Sequence, residues 1–339
     1  MPQDPLFFYV AAICLVAFVF DYINGFHDSA NSIATVVSTR VLKPSYAVIW
    51  AAFFNFSAAF LLGENVAKMV GRGIVDPRVV SNEVILAALV GAIVWDLLTW
   101  YFGLPTSSSH ALIGGLIGAV IIVSGPHMLN ASGIMKVAIF IVLSPIIGLV
   151  LGYAFRTIVS MVLRNTSPKT VAHHFRRLQL FSAALYSLGH GTNDAQKTMG
   201  IVALLLFTNK GLPYLSIDTF YIPTWVMFSA YTAIALGTMS GGWRIIKTMG
   251  MKITKLQPVD GFCAETAAAV ALFGTAHFGI PVSTTHTITG AIIGVGTTRR
   301  ASAVRWGVTL NVVWAWILTI PGAALVAAIT RYVLELIVH

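Results

Sequence analysis

The sequence predicts an all-α polytopic membrane protein. It reads as an inverted repeat of two five-segment halves, with broken helices and re-entrant hairpins at the membrane midplane. Three observations lead there. The chain is 57% hydrophobic and 10% charged, with mean hydropathy +0.83. A soluble domain carries about 25% charged residues, so this chain could not cover a water-facing surface. Residues 25–36 (GFHDSANSIATV) recur in outline at 191–202 (GTNDAQKTMGIV), and 102–118 (FGLPTSSSHALIGGLIG) recur at 278–294 (FGIPVSTTHTITGAIIG). The offsets are 166 residues from Asp28 to Asp194 and 176 from Pro105 to Pro281, each close to half of 339. Two unlike motifs repeating in one order at nearly one period mark an internal duplication.

Along the chain, apolar runs lie near 6–24, 45–63, 83–102, 104–123, 133–155, 178–208, 222–240, 261–279, 281–297 and 307–331. Each approaches the roughly 20 apolar residues a spanning helix needs. The runs are continuous, without the ~10-residue alternation of a membrane barrel. Ten crossings give five per half, and an odd number turns the second half over. Basic residues test this. Two lie at 40–43, five over 156–177, four over 244–255 and three over 299–305. On the other side stand five, Lys68, Arg72, Arg78, Lys210 and Arg331, with Lys136 set aside inside a span. The excess of 14 over 5 marks the inside and puts both termini outside. The net charge of +9 therefore reports topology, and no nucleic-acid partner is expected. No basic segment precedes the first apolar run, which reads as a span and not as a cleaved leader. Cys14 and Cys263, both in apolar surroundings, read as packing residues. The organisation expected is a first repeat over 1–155, a cytoplasmic linker loop over 156–177 with His173 and His174 solvated, and a second repeat over 178–339.

Within each half the repeated motifs have structural consequences. Gly25 and Gly191 stand where the first helix of each half should break, just before the aspartate. Pro105 and Pro281 should begin half-helices, since proline suits a first helical turn. Irregular backbone at that depth must be covered by protein or line a cavity. Gly114, Gly115, Gly118, Gly290 and Gly294 then allow close helix packing.

An ionisable side chain deep in a span costs at least ~2.5–3 kcal/mol, so each one points to function. The candidates are Asp28, Asp194, Asp96 and Glu265; for the last two, a structural ion pair or an interfacial position is the plainer reading. Asp28 with Asn31 three residues on presents oxygens on one helix face, a set suited to a small monovalent ion or a proton. In the second copy Lys197 replaces Asn31, supplying a built-in cation and pairing with Asp194. His27, Asn193 and Gln196 flank the aspartates as candidate supports.

The hydroxyl clusters read as an anion site. Thr106, Ser107, Ser108 and Ser109 face Ser283, Thr284 and Thr285 across the pseudo-twofold axis, and two half-helix N-termini aim backbone N–H groups at the midplane. Hydroxyls add donors without a formal charge, which suits an oxyanion that must also leave. They do not separate phosphate from sulfate. His110 and His286 recur at matching positions, to cap, pack or titrate. No nucleophile elbow, P-loop or HExxH motif appears, which speaks against an ATP-driven step, and no cofactor is expected. A metal-dependent intramembrane enzyme built from His27, Asp28, His110, His190 and His286 is a competing class. The duplication argues against it, because an active site rarely needs two equivalent halves. A passive anion channel is a third.

GFHDSAN, GTNDAQK, PTSSSH and PVSTTH together resemble the inorganic phosphate transporter (Pit) family, over about residues 10–330. The resemblance implies symport of inorganic phosphate with a cation in the cell inner (plasma) membrane, by an inverted-repeat fold, as a homodimer. It places Asp28, Asn31 and Asp194 in cation-site motifs, and Ser107, Ser108, Ser283 and Thr284 in phosphate-site hairpins. Sodium-coupled members resemble GANDVAN in both halves. Here His27 replaces the first Asn, and Gln196–Lys197 replaces Ala–Asn. This pattern is similar to bacterial members of low-affinity type, which are proton-coupled and carry a neutral complex of a divalent metal with phosphate. H⁺ is thus the expected coupling ion and Na⁺ the alternative.

Overall fold

The computed structural model describes residues 4–61, 63–212 and 215–338. The helices in chain order are α1 (Pro5–Ser38), α2 (Pro44–Ser57), α3 (Asn65–Gly73), α4 (Asn82–Phe102), α5 (Ser108–Ser124) and α6 (Ala131–Val162), then α7 (Pro168–Thr208), α8 (Thr224–Ser240), α9 (Trp243–Lys247), α10 (Pro258–His277), α11 (Thr284–Thr297) and α12 (Trp306–Val338). Among the described residues no β-sheet forms. Local chemistry sets many of the ends. Asp4 caps α1 with Pro5 in its first turn, and Ser167 caps α7 with Pro168 behind it. Ser81 accepts from Val84 N at the start of α4. Gly103 ends that helix in the left-handed region (φ 67°), where a side chain would be strained.

α1 packs on α8, and α2 on α7. α5 lies against α12, and α11 against α6. α4 packs with α5 and α12, while α10 packs with α11 and α6. Each pairing has its counterpart six helices along the chain. Two three-helix units, α4–α5–α12 and α6–α10–α11, thus flank the central helices α1, α2, α7 and α8. The basic segments expected on one side meet one another: Arg176 donates to Arg40 O, Arg156 and Arg299 both bind Asp260, and Arg244 donates to Tyr101 O. Segments expected on the other side also meet, through Asn82 with Asn209 and Asn65 with His277 O.

Several expectations need correction. Among the described residues the chain forms twelve α-helices where ten apolar segments were expected, because α3 and α9 were not read from the sequence. Among the described residues five helices, α1, α4, α6, α10 and α12, are long and apolar enough to cross a bilayer alone, and α2 with α3 makes a sixth if that bent pair counts as one span. The short helices α2, α5, α8 and α11, of 14 or 17 residues, rise only about 21–26 Å against a hydrocarbon core of ~30 Å. The expected linker loop at 156–177 is mostly helical; only residues 163–167 separate α6 from α7. Neither α1 nor α7 breaks at its glycine. Gly25 instead lets Ile234 O of α8 approach, and Gly191 lets Asn55 O of α2 approach, where an added Cβ would overlap. Pro105 and Pro281 lie in the extended stretch before their helices, and Ser107 and Ser283 are the caps. Leu62, inside the expected 45–63 segment, and the terminal residues 1–3 and 339, whose side of the membrane the charge count addresses, lie outside the described residues.

Candidate functional site

The centre of the molecule is where α1 and α7 pass the tips of α5 and α11. Both long helices carry polar residues through a buried region. α1 buries Asp28, Asn31 and Ser32, and α7 buries His190, Asn193, Asp194 and Lys197. Each tip offers hydroxyls in extended backbone just before a helix. Ser107 accepts from His110 N (3.3 Å) and Ser283 from His286 N (3.1 Å), so one hydroxyl of each tip satisfies an otherwise free helical N–H. The rings of His110 and His286 lie with centroids 4.8 Å apart, so the two helix starts approach each other.

The α11 tip joins the two aspartates. Thr284 Oγ1 donates to Asp194 Oδ2 (2.9 Å), and Thr285 Oγ1 donates to Asp28 Oδ1 (3.4 Å). Asn31 Nδ2 donates to Thr285 Oγ1 (2.9 Å) and Thr284 Oγ1 (3.4 Å). The groups expected to form separate cation and anion sites therefore share one network. The α5 tip enters through Lys197. Its ammonium donates to Asp194 Oδ1 (2.6 Å), to Val282 O (3.0 Å) and to Ser109 Oγ. That tip also reaches α1 on its far side. Thr106 Oγ1 donates to Thr99 Oγ1 (2.8 Å), beside His27 Nε2, while His27 Nδ1 lies 2.7 Å from Asp28 Oδ1. Ser108 is buried, and its hydroxyl has no hydrogen-bond partner among the described residues.

Two of the proposed supports make their hydrogen bonds outside this network. Gln196 turns away to cap α3, accepting from Val66 N (3.0 Å) and Ala67 N (3.2 Å). Asn193 donates to Gly189 O and Leu272 O, tying α7 to α10. His286 stacks on Trp316 of α12 at 3.9 Å between centroids, and its Nδ1 lies 3.3 Å from Ile141 O. The two tip histidines thus pack between the flanking units and do not converge with His27 and Asp28 on a metal. One set that could hold a metal does exist, in Asp28, His190 and Asp194, whose ligand atoms lie within 4.8 Å of one another. His190 Nε2 is 3.0 Å from Asp194 Oδ2.

Glu265 and Asp96 are not ion-paired among the described residues. Both are fully buried, and among the described residues no basic group lies in ion-pair range. Glu265 accepts from Gln179 Nε2 (3.0 Å) and Ser182 Oγ (2.5 Å). Asp96, one turn before Thr99, has no hydrogen-bond partner for either oxygen. Asp21 was missed altogether. It too is fully buried and unpartnered, two helical turns before Asp28. The signal was present in the sequence, an acid inside an apolar run and seven residues from another, but no motif repeats around it.

Comparison with known proteins gives the family. A model of the phosphate transporter family matches residues 24–327. The chain is 56% identical over 328 residues to a probable low-affinity inorganic phosphate transporter of Rhizobium meliloti (strain 1021), covering 97% of each. It is 45% identical over 337 residues to a protein of the same description from Bacillus subtilis (strain 168), covering 99% of this chain and 100% of that one. A solved structure, the sodium-dependent phosphate transporter, shares the fold with a TM-score of 0.88 over 97% of this chain and 99% of that chain, at 24% identity. With a family model over most of its length and full-length relatives at this identity, the chain belongs to the phosphate transporter family.

Proposed function

We propose that this protein is a secondary symporter that carries inorganic phosphate across the inner membrane together with a proton. Its two halves are inverted repeats that rock around the site between the hairpin tips. The observation that carries the reading is the charge of that site. Three carboxyl groups, Asp28, Asp194 and Asp96, stand against the single ammonium of Lys197, so acids outnumber fixed cations in this buried centre. An anion cannot enter such a buried centre unless cations come with it, because uncompensated charge in a low-dielectric interior is costly. Coupling is thus built into the site. Hydroxyls and helix N-termini supply donors for the phosphate oxygens. Lys197 favours the proton over sodium, since it fills with a fixed ammonium the place where a second bound ion would sit. The family resemblance extends the reading to a divalent metal travelling with phosphate and to a homodimer.

Labelled phosphate uptake into proteoliposomes tests this. A pH gradient of one unit, acid outside, should drive accumulation of about tenfold for one proton per phosphate, while a sodium gradient alone should drive none. Uptake driven by sodium alone would overturn the choice of ion. Uptake with no dependence on either gradient would indicate a passive channel, and sulfate uptake in preference to phosphate would overturn the substrate. The tip serines give a second expectation. Ser107→Ala with Ser283→Ala removes two caps worth about 1 kcal/mol each and should raise the half-saturating phosphate concentration by about tenfold. Unchanged kinetics would remove the tips from the anion site.

A further inference from the structure

Asp21 is a second, separate ionisable centre. It lies two turns, about 10 Å, from Asp28 toward the N-terminal end of α1, the end expected outside. The residue is fully buried, and neither carboxyl oxygen has a hydrogen-bond partner among the described residues. Asn24, one turn on, and Thr198 of α7 flank the carboxyl. Both are buried, and Asn24 Oδ1 and Thr198 Oγ1 are likewise without partners. The ionisable groups that face Asp21 are Asp194 and Lys197 from α7 and the Tyr231 phenol from α8. Lys197 is committed to Asp194, Ser109 and Val282 O.

We propose that Asp21 is the group that takes up the coupling proton on the expected outer side, ahead of the central site. The proposal rests on the symport reading above. The charge balance supports it. As a carboxylate, Asp21 is a buried charge with no cation of its own, since Lys197 is committed to Asp194. Once a proton from the outer solution binds one carboxyl oxygen, the charge is gone, and the Thr198 hydroxyl and the Asn24 side chain beside it remain as polar neighbours of the neutral acid. A sodium ion suits the place less well. One carboxylate, one amide oxygen and one hydroxyl are few ligands for a hard cation, which usually gathers about six oxygens. The duplication adds an asymmetry. At the offset of 166 residues Asp21 maps onto Ser187, so the acid occurs in one half alone. A proton station on one side of the centre is what orders proton uptake before phosphate when the site opens that way.

The test compares two modes of transport in proteoliposomes of the purified full chain. Exchange of labelled for unlabelled phosphate at equal pH on both sides needs no net proton movement. Accumulation against a phosphate gradient, driven by acid outside, does. Asp21→Asn, which is isosteric, should keep exchange within about threefold of the unaltered protein and lose proton-driven accumulation by about tenfold or more. Asp21→Glu should retain accumulation, with a displaced pH dependence. Retained exchange shows that the variant is folded and binds phosphate. Proton-driven accumulation that survives in Asp21→Asn would overturn the role of Asp21 while leaving the symporter intact. Loss of exchange along with accumulation would make Asp21 part of the phosphate site or the scaffold and also overturn the role. Failure of the unaltered protein to respond to a pH gradient would overturn the proton reading itself, and the role of Asp21 with it.

Discussion

Lys197→Met is expected to destabilise the protein by about 3–5 kcal/mol, because it strands the Asp194 carboxylate in a buried site. Both partners are essentially inaccessible, and the ammonium lies 2.6 Å from Asp194 Oδ1. The attraction between them does not by itself make the pair a large net gain. Burying two charges has a desolvation cost that roughly offsets it. The loss on removing one partner comes from the charge left behind. The double variant Asp194→Asn with Lys197→Met should therefore recover most of the stability, while transport stays lost. Thermal unfolding in detergent would show this as a midpoint about 10 °C lower for the single variant, with most of that fall reversed in the double. A single variant melting like the unaltered protein would mean that Asp194 is not held as an ion pair. A double variant as unstable as the single would mean that the ammonium serves the hairpins more than the aspartate, through Ser109 and Val282 O.

This pair also shows what was legible in the sequence and what was not. Lys197 stands three residues after Asp194, one face of one helix, so their contact follows from spacing alone. The membrane class followed from composition, and the position of the hairpins from the repeated Pro, hydroxyl and Gly residues. The joining of both aspartates by one tip did not follow. Asp28 and Asp194 are far apart in sequence, and Thr284 and Thr285 are farther still from Asp28, so their meeting is a property of packing. The same holds for Gln196. Its place in a repeated motif suggested an ion site, but its amide was needed to cap α3, a short amphipathic helix that lies outside the long apolar runs. The glycines beside the aspartates were read as breaks because glycine is permissive. The structure uses their missing side chains instead, to bring α8 against α1 and α2 against α7. Close approach and flexibility look alike in a sequence, and only the neighbouring helix tells them apart.

Asp28→Asn is expected to abolish uptake, by roughly 100-fold or more, without unfolding the protein. The asymmetry between the two aspartates is the reason. Asp194 has a fixed ammonium, whereas Asp28 has His27 at 2.7 Å and the weak donor Thr285 at 3.4 Å. Of the two repeated aspartates, Asp28 is thus the one without a permanent counter-charge, and the one free to gain and lose a cation during transport. Asparagine keeps an acceptor oxygen for His27 and Thr285, so the local hydrogen bonds survive. What it cannot do is take up a proton or balance an ion. The variant should elute as the unaltered protein does on size exclusion and melt within about 1 kcal/mol of it, the scale of one neutral hydrogen bond. Its phosphate uptake under an acid-outside gradient should fall to background. Exchange at equal pH should fall as well, which separates Asp28 from Asp21, because the Asp28 carboxylate shares a network with the tip that meets phosphate. Normal uptake in Asp28→Asn would remove the central site from the transport cycle. Normal exchange with lost accumulation would move Asp28 out of the phosphate network and leave it a purely ion-coupling group.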